Sequence, residues 1–123
     1  MHYVKTEGAP EAIGPYSQAV EYSGLVYVSG QIPMTAEGKL QAVTIEEQTH
    51  QVIHNLRAIL QEAGTWLHNT VKVTVYLSNM DDFDKMNEVY AEHFGNHKPA
   101  RTTVEVSRLP KDVKIEIEVI AKR

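Results

Sequence analysis

The sequence predicts an α+β fold, a mixed β-sheet with two helices packed on one face, and three observations predict it. Apolar residues recur at three-and-four spacing in two separate stretches, Val52 to Ala63 and Phe83 to Phe94, the period of an amphipathic helix. Three further stretches, Val71 to Ser78, Arg101 to Ser107 and Val113 to Ala121, have the character of strands, the first and last alternating apolar with polar residues. Ahead of them, Ser23-Gly24 separates two strand-like runs and reads as a tight hairpin turn.

The hairpin joins Tyr16–Tyr22 to Leu25–Ser29, and Pro33, which lacks the donor a ladder needs, ends the second strand before a loop at Glu37-Gly38. Thr44 with Glu47 three residues later is a capping box, so the first helix starts there. Its buried stripe is Val52, Ile53, Leu56, Ile59, Leu60 and Ala63, and Gly64 stops it. In the next strand Val71, Val73, Val75 and Leu77 form the apolar face. Asp81 and Asp82 cap the second helix, whose stripe of Phe83, Met86, Val89, Tyr90 and Phe94 ends at Gly95 and Pro99. Two last strands give the order β-β-α-β-α-β-β, which favours one layer of helices on one layer of sheet. The other sheet face would carry Lys72, Thr74, Tyr76, Thr103, Glu105, Lys114, Glu116 and Glu118, and water or another subunit must cover it.

At 123 residues the chain fits a single domain, 1–123, with one core. Sixteen acidic against twelve basic residues give a net charge of -4, the wrong sign for holding nucleic acid and a better match to a small metabolite. The absence of cysteine removes disulfides, thiolate ligands and a thiol nucleophile together, and suits a reducing cytoplasm. No apolar leader and no membrane-length apolar run is present.

Glu116 and Glu118 share one side of the last strand, and two like charges so placed call for a cation between them. Arg101, stiffened by Pro99, is the candidate. It is either a fork for a substrate carboxylate or one arm of a plain ion pair. Asn87, in or beside an apolar stripe, either ties a loop or meets a ligand. Tyr16, fixed by Gly14-Pro15, and Ser29-Gly30 lie where the outer ends of the hairpin meet, as packing and turn or as a pocket wall. Ser29 is no nucleophile elbow. His50 and His54 have chelating spacing but lie on a solvated face without the glutamate of the metalloprotease pattern. His93 and His97 straddle a helix end, where a cation favours the dipole. No phosphate-binding glycine loop appears.

Taken together, Ala12-Ile13-Gly14-Pro15-Tyr16-Ser17-Gln18-Ala19, Ser29-Gly30-Gln31-Ile32-Pro33, Pro99-Ala100-Arg101 and Val104-Glu105-Val106 through Arg108-Leu109-Pro110-Lys111-Asp112 to Ile115-Glu116-Ile117-Glu118 resemble the RidA/YjgF/YER057c/UK114 family over essentially the whole chain. The resemblance implies a chorismate-mutase-like fold (bacillus type), a homotrimer with its polar sheet faces at the centre, and sites in the subunit clefts. It implies hydrolysis of reactive 2-imino acids (2-aminoacrylate/2-iminopropanoate, 2-iminobutanoate) to 2-oxo acids and ammonia. Arg101 then binds the carboxylate and Glu116 positions or activates water, with no cofactor and no metal. Tyr16, Ser29, Gly30 and Asn87 line the pocket, with Thr103 where many relatives carry Cys. Three other functions compete with this one: a noncatalytic carboxylate-binding trimer acting as sensor or regulatory partner, an endoribonuclease or translation inhibitor, and a chorismate-mutase-like rearrangement.

Overall fold

The computed structural model describes residues 1–123. Six strands form one sheet: His2–Val4 (β1), Ala19–Tyr22 (β2), Leu25–Gln31 (β3), Thr70–Leu77 (β4), Ala100–Glu105 (β5) and Ile115–Lys122 (β6). Their order is β1-β2-β3-β6-β4-β5, all neighbours antiparallel except β4 and β5. Two helices, Ile45–Glu62 (α1) and Phe83–Phe94 (α2), lie on one face. The α+β class and helix layer match the sequence reading, and β1 is an addition to it.

The capping box forms as read: Thr44 Oγ1 accepts from the Glu47 amide at 3.1 Å, and Glu47 Oε1 accepts from the Thr44 amide at 2.9 Å. Val52, Ile53, Leu56, Ile59 and Leu60 are fully buried against β3, β6 and α2. Each such side chain contributes about 1.5–3 kcal/mol by leaving water. The start of α2 differs from expectation. A single 3₁₀ turn, Met80–Asp82, precedes it, and the capping acceptor is Asn79 Oδ1, 2.9 Å from the Asp81 amide, while Asp82 makes no side-chain cap.

Several boundaries and one face also differ. Residues 16–18 are not strand, because the Tyr16 amide turns back to the Gly14 carbonyl at 2.8 Å. The second hairpin strand runs on through Gly30 to Gln31 with a register shift between Val28 and Gln31. Val71 is 49% exposed, contrary to the apolar-face expectation, because the β4–β6 register slips between Thr70 and Lys72 and turns Thr70 inward. Thr103 and Glu105 are not on the polar sheet face: in the parallel β4–β5 register Arg101, Thr103 and Glu105 pair with the core residues Val73, Val75 and Leu77 and share their side. The open face carries Lys72, Thr74, Tyr76, Thr102, Glu116 and Glu118, with Lys72 Nζ donating to Thr102 Oγ1 at 2.7 Å.

His50 and His54 are exposed, as the solvated-face reading expects, but His50 also makes a contact between the helices. His50 Nδ1 lies 2.9 Å from His93 Nε2, and Arg57 donates to His93 Nδ1 at 3.0 Å, tying α1 to α2. His93 is not the cation its helix-end position suggests, since burial, then His50 and Arg57, holds its pKa below the ordinary value. His97 Nε2 meets the Thr70 carbonyl at 2.7 Å.

Candidate active site

β4, α2 and β5 form a crossover between parallel strands, so α2 runs against both. Its start stands at the level of Glu105, whose Oε1 accepts from the Met80 amide at 2.7 Å. Phe83, Asn87 and Tyr90 share the helix side that faces β5, four and three residues apart. Arg101 extends across this side. Its guanidinium carbon lies 4.6 Å from the Tyr90 ring centroid and 5.7 Å from that of Phe83. Aromatic faces hold the fork by cation–π attraction without consuming its hydrogen-bond donors. None of the chain's ion pairs engages Arg101, so the fork is not neutralised by Glu116 or Glu118. The sequence reading of Arg101 as a cation lying between those two acids is therefore corrected: within one chain they are on opposite faces of the sheet.

Thr103 follows Arg101 on the same side of β5, and its Oγ1 is buried without a hydrogen-bond partner, while the buried Tyr90 hydroxyl has no acceptor for its proton. Asn87, half-buried, lies on α2 between Phe83 and Tyr90 in the sequence.

The second group is on the open face. Glu116 pairs with Tyr76 across β4–β6, and its carboxylate rests where a side chain on Gly30 would be, a Cβ there lying 2.9 Å from Glu116 Cδ. Burial, reinforced by the Glu118 charge, raises the proton affinity of Glu116 above that of an ordinary glutamate. Burial, then the charges of Glu118 and Glu116, pushes the Tyr76 phenol up. Ser29, next to Gly30, donates its hydroxyl proton to the Ser17 carbonyl at 2.6 Å, holding the segment that carries Tyr16. Tyr16, half exposed, stands between a cleft of about 490 Å³ and a small cavity of about 40 Å³ lined also by Gly30, Gln31 and Ile32, which has room for water.

The structure thus places Arg101 and Thr103 on one side of β5 with the guanidinium on the α2 rings that flank Asn87 in the sequence, and separately gathers Tyr16, Ser29, Gly30 and Glu116. It does not join the two groups within one chain. Sequence reasoning missed Tyr90 and Phe83 as the platform of the guanidinium, having read both as core. The available signal was their spacing around Asn87 on a helix that must face the strand opening with Arg101.

Comparison with known proteins finds relatives that match nearly the whole of this chain. The endoribonuclease L-PSP family pattern matches residues 6–123. A RutC family protein of Pyrococcus abyssi is 59% identical over 94% of this chain and 92% of its own length. The chloroplastic Reactive Intermediate Deaminase A of Arabidopsis thaliana is 44% identical over 96% of this chain and 64% of its own. The crystal structure of E. coli TdcF with bound serine superposes with a TM-score of 0.95 at 40% identity, covering 100% of this chain and 99% of that one. The chain belongs to the endoribonuclease L-PSP family, the YjgF/RidA group.

Proposed function

We propose that the protein is a homotrimeric deaminase that hydrolyses 2-imino acids to 2-oxo acids and ammonia. The observation that carries the reading is the Arg101 guanidinium, clamped on Tyr90 and Phe83 with no acid of its own chain to bind. A free, oriented fork is matched to a carboxylate by two parallel hydrogen bonds. Arg101 and Glu116 lie on opposite faces of one sheet, so a complete site needs the edge strand β5 of one copy to approach the open face of another. Assembly around the open faces supplies that approach.

In this mechanism Arg101 holds the substrate carboxylate and Glu116 orients water at the imine carbon. Oxygen bonds to carbon, the imine nitrogen takes up a proton, and a carbinolamine results. Its hydroxyl proton then leaves, the C–N bond breaks, and ammonia departs as the C=O forms. Glu116 accepts the proton from water and returns it to the departing nitrogen. Its raised proton affinity suits both transfers, and one positioned group of this kind contributes about 10²- to 10⁴-fold. The name of the Arabidopsis relative supports this chemistry.

Serine bound to TdcF favours a second reading, a trimer that binds a small carboxylate without reacting. The family's endoribonuclease name suggests a third activity, against which the net charge of -4 weighs. The test feeds threonine to a dehydratase and follows the loss of 2-iminobutanoate with wild type, Arg101→Ala or no protein. Acceleration by wild type alone, with Arg101→Ala folded, supports the deaminase. Full activity of Arg101→Ala overturns it, and binding of 2-oxobutanoate without faster imine loss favours the second reading.

A further inference from the structure

We propose that the hydroxyls of Tyr90 and Thr103 complete the carboxylate seat at Arg101, each donating to a ligand oxygen that the guanidinium leaves open. The inference deepens the deaminase reading and rests on it.

Three buried hydroxyls, those of Thr70, Tyr90 and Thr103, have no acceptor for their protons, and the last two lie on the same side of β5 as Arg101. Orphaned buried hydroxyls are uncommon, because each forfeits its hydrogen bond to water and receives nothing in exchange. Their position beside Arg101 follows from the direction of the arginine side chain. Arg101 begins near the start of β5, yet its guanidinium lies over both Tyr90 and Phe83, and Phe83 opens α2 at the level of Glu105. The side chain therefore runs along the strand past Thr103. Tyr90 stays protonated, because burial pushes its phenol up, while the Arg101 charge and a guanidinium hydrogen bond to the phenol oxygen pull the other way without reversing the shift.

Guanidinium nitrogens donate only and cannot satisfy a hydroxyl's proton. A ligand carboxylate can. It offers about four lone-pair positions; two parallel bonds from Arg101 occupy two, and the Tyr90 and Thr103 protons reach the others. A carboxylate so saturated can be taken out of water, whereas an amide or ester of the same acid presents fewer acceptors and no charge. The seat therefore selects the free acid over its amide or ester.

Hydroxyls left unpartnered for a ligand have a signature that structural hydroxyls lack. Replacing a buried orphan by an apolar group of the same shape leaves the free protein as stable as before or more so. Tyr90→Phe keeps the ring under Arg101, Thr103→Val keeps the branched shape, and Thr103→Ser keeps the hydroxyl. The experiment titrates 2-oxobutanoate by calorimetry, measures KM and kcat for 2-iminobutanoate, and records thermal unfolding without ligand. Expected for Tyr90→Phe and for Thr103→Val is an affinity loss of about tenfold, seen in KM far more than in kcat, with unfolding temperature unchanged or raised. Thr103→Ser keeps wild-type affinity. Unchanged affinity in Tyr90→Phe and Thr103→Val, or lowered unfolding temperature with unchanged affinity, overturns the inference while a wild type that releases ammonia keeps the deaminase reading. A wild type that binds 2-oxobutanoate without turnover overturns the deaminase reading alone, the loss on Tyr90→Phe still supporting the seat.

Discussion

The carboxylate of Glu116 occupies the space that a side chain on Gly30 would need. The glycine sits at the register shift between β3 and β6, and its φ is not in the left-handed region, so the demand there is for volume alone.

Gly30→Ala is accordingly expected to expel the Glu116 carboxylate from its seat while the sheet persists. A methyl cannot coexist with a carboxylate carbon at 2.9 Å, and the glutamate is the side that can swing away. Deaminase turnover should fall by about 10²-fold or more, the contribution of one positioned acid–base group. Steady-state rates with a far-ultraviolet circular dichroism control decide it. Wild-type turnover in Gly30→Ala would show that the position of Glu116 is immaterial.

The raised proton affinity of Glu116 makes a claim about stability as well. Burial, then the Glu118 charge, lifts its pKa in the folded chain above the ordinary 4.5. The folded state therefore binds the proton more tightly than the unfolded state. This contribution is fully present below the unfolded pKa and is lost as pH rises through the folded value. Glu116→Gln removes the titration, so its unfolding temperature should exceed that of wild type at neutral pH, the gap narrowing as pH falls toward the unfolded value. An equal gap at both ends of that range would assign the effect to packing.

Helix α1 was legible because its signals are local: the Thr44 and Glu47 box and an apolar stripe need no knowledge of the rest of the chain. The face on which Arg101 sits was not. It depends on how β5 registers with β4, and the run Arg101 to Val106 has no strict apolar alternation to announce its parity. Val71 misled for a related reason, since a slip in pairing with β6 reverses a face without altering the sequence pattern. Among site residues, Gly30 and Glu116 were each singled out but not as the neighbours they are, since their contact depends on the β3–β6 pairing, whereas Tyr90 looked like core because an aromatic platform and a core stripe share one spacing. Asn55 was passed over, being polar at a position the fold buries completely.

Asn55 has a specific task. Its amide nitrogen donates to the Ile32 carbonyl at 3.2 Å and the Met34 carbonyl at 2.9 Å, fastening the segment after Gly30 and Gln31 to α1. Asn55→Ala leaves those carbonyls short of a donor in a buried place and should cost about 1–3 kcal/mol. Urea denaturation measures it. A change within about 0.5 kcal/mol, the range of ordinary surface substitutions, would show that water replaces the amide at little cost.

His93 makes the contact between the helices dependent on pH. Arg57 can only donate, so His93 Nδ1 accepts and Nε2 carries the proton that reaches His50 Nδ1. A second proton on His93 must go to Nδ1, facing the Arg57 guanidinium. Burial first, then His50, Arg57 and more weakly His54, hold its pKa below 6.5, with Glu92 pulling the other way. The unfolded chain then binds this proton more readily than the folded one. The stability concerned is complete above the unfolded value of about 6.5 and is lost as pH falls through the folded value. Thermal unfolding of wild type should therefore weaken between pH 7 and pH 5, and His93→Gln, which cannot titrate, should flatten that part of the curve. A slope identical in the two proteins would place the acid sensitivity elsewhere in the chain.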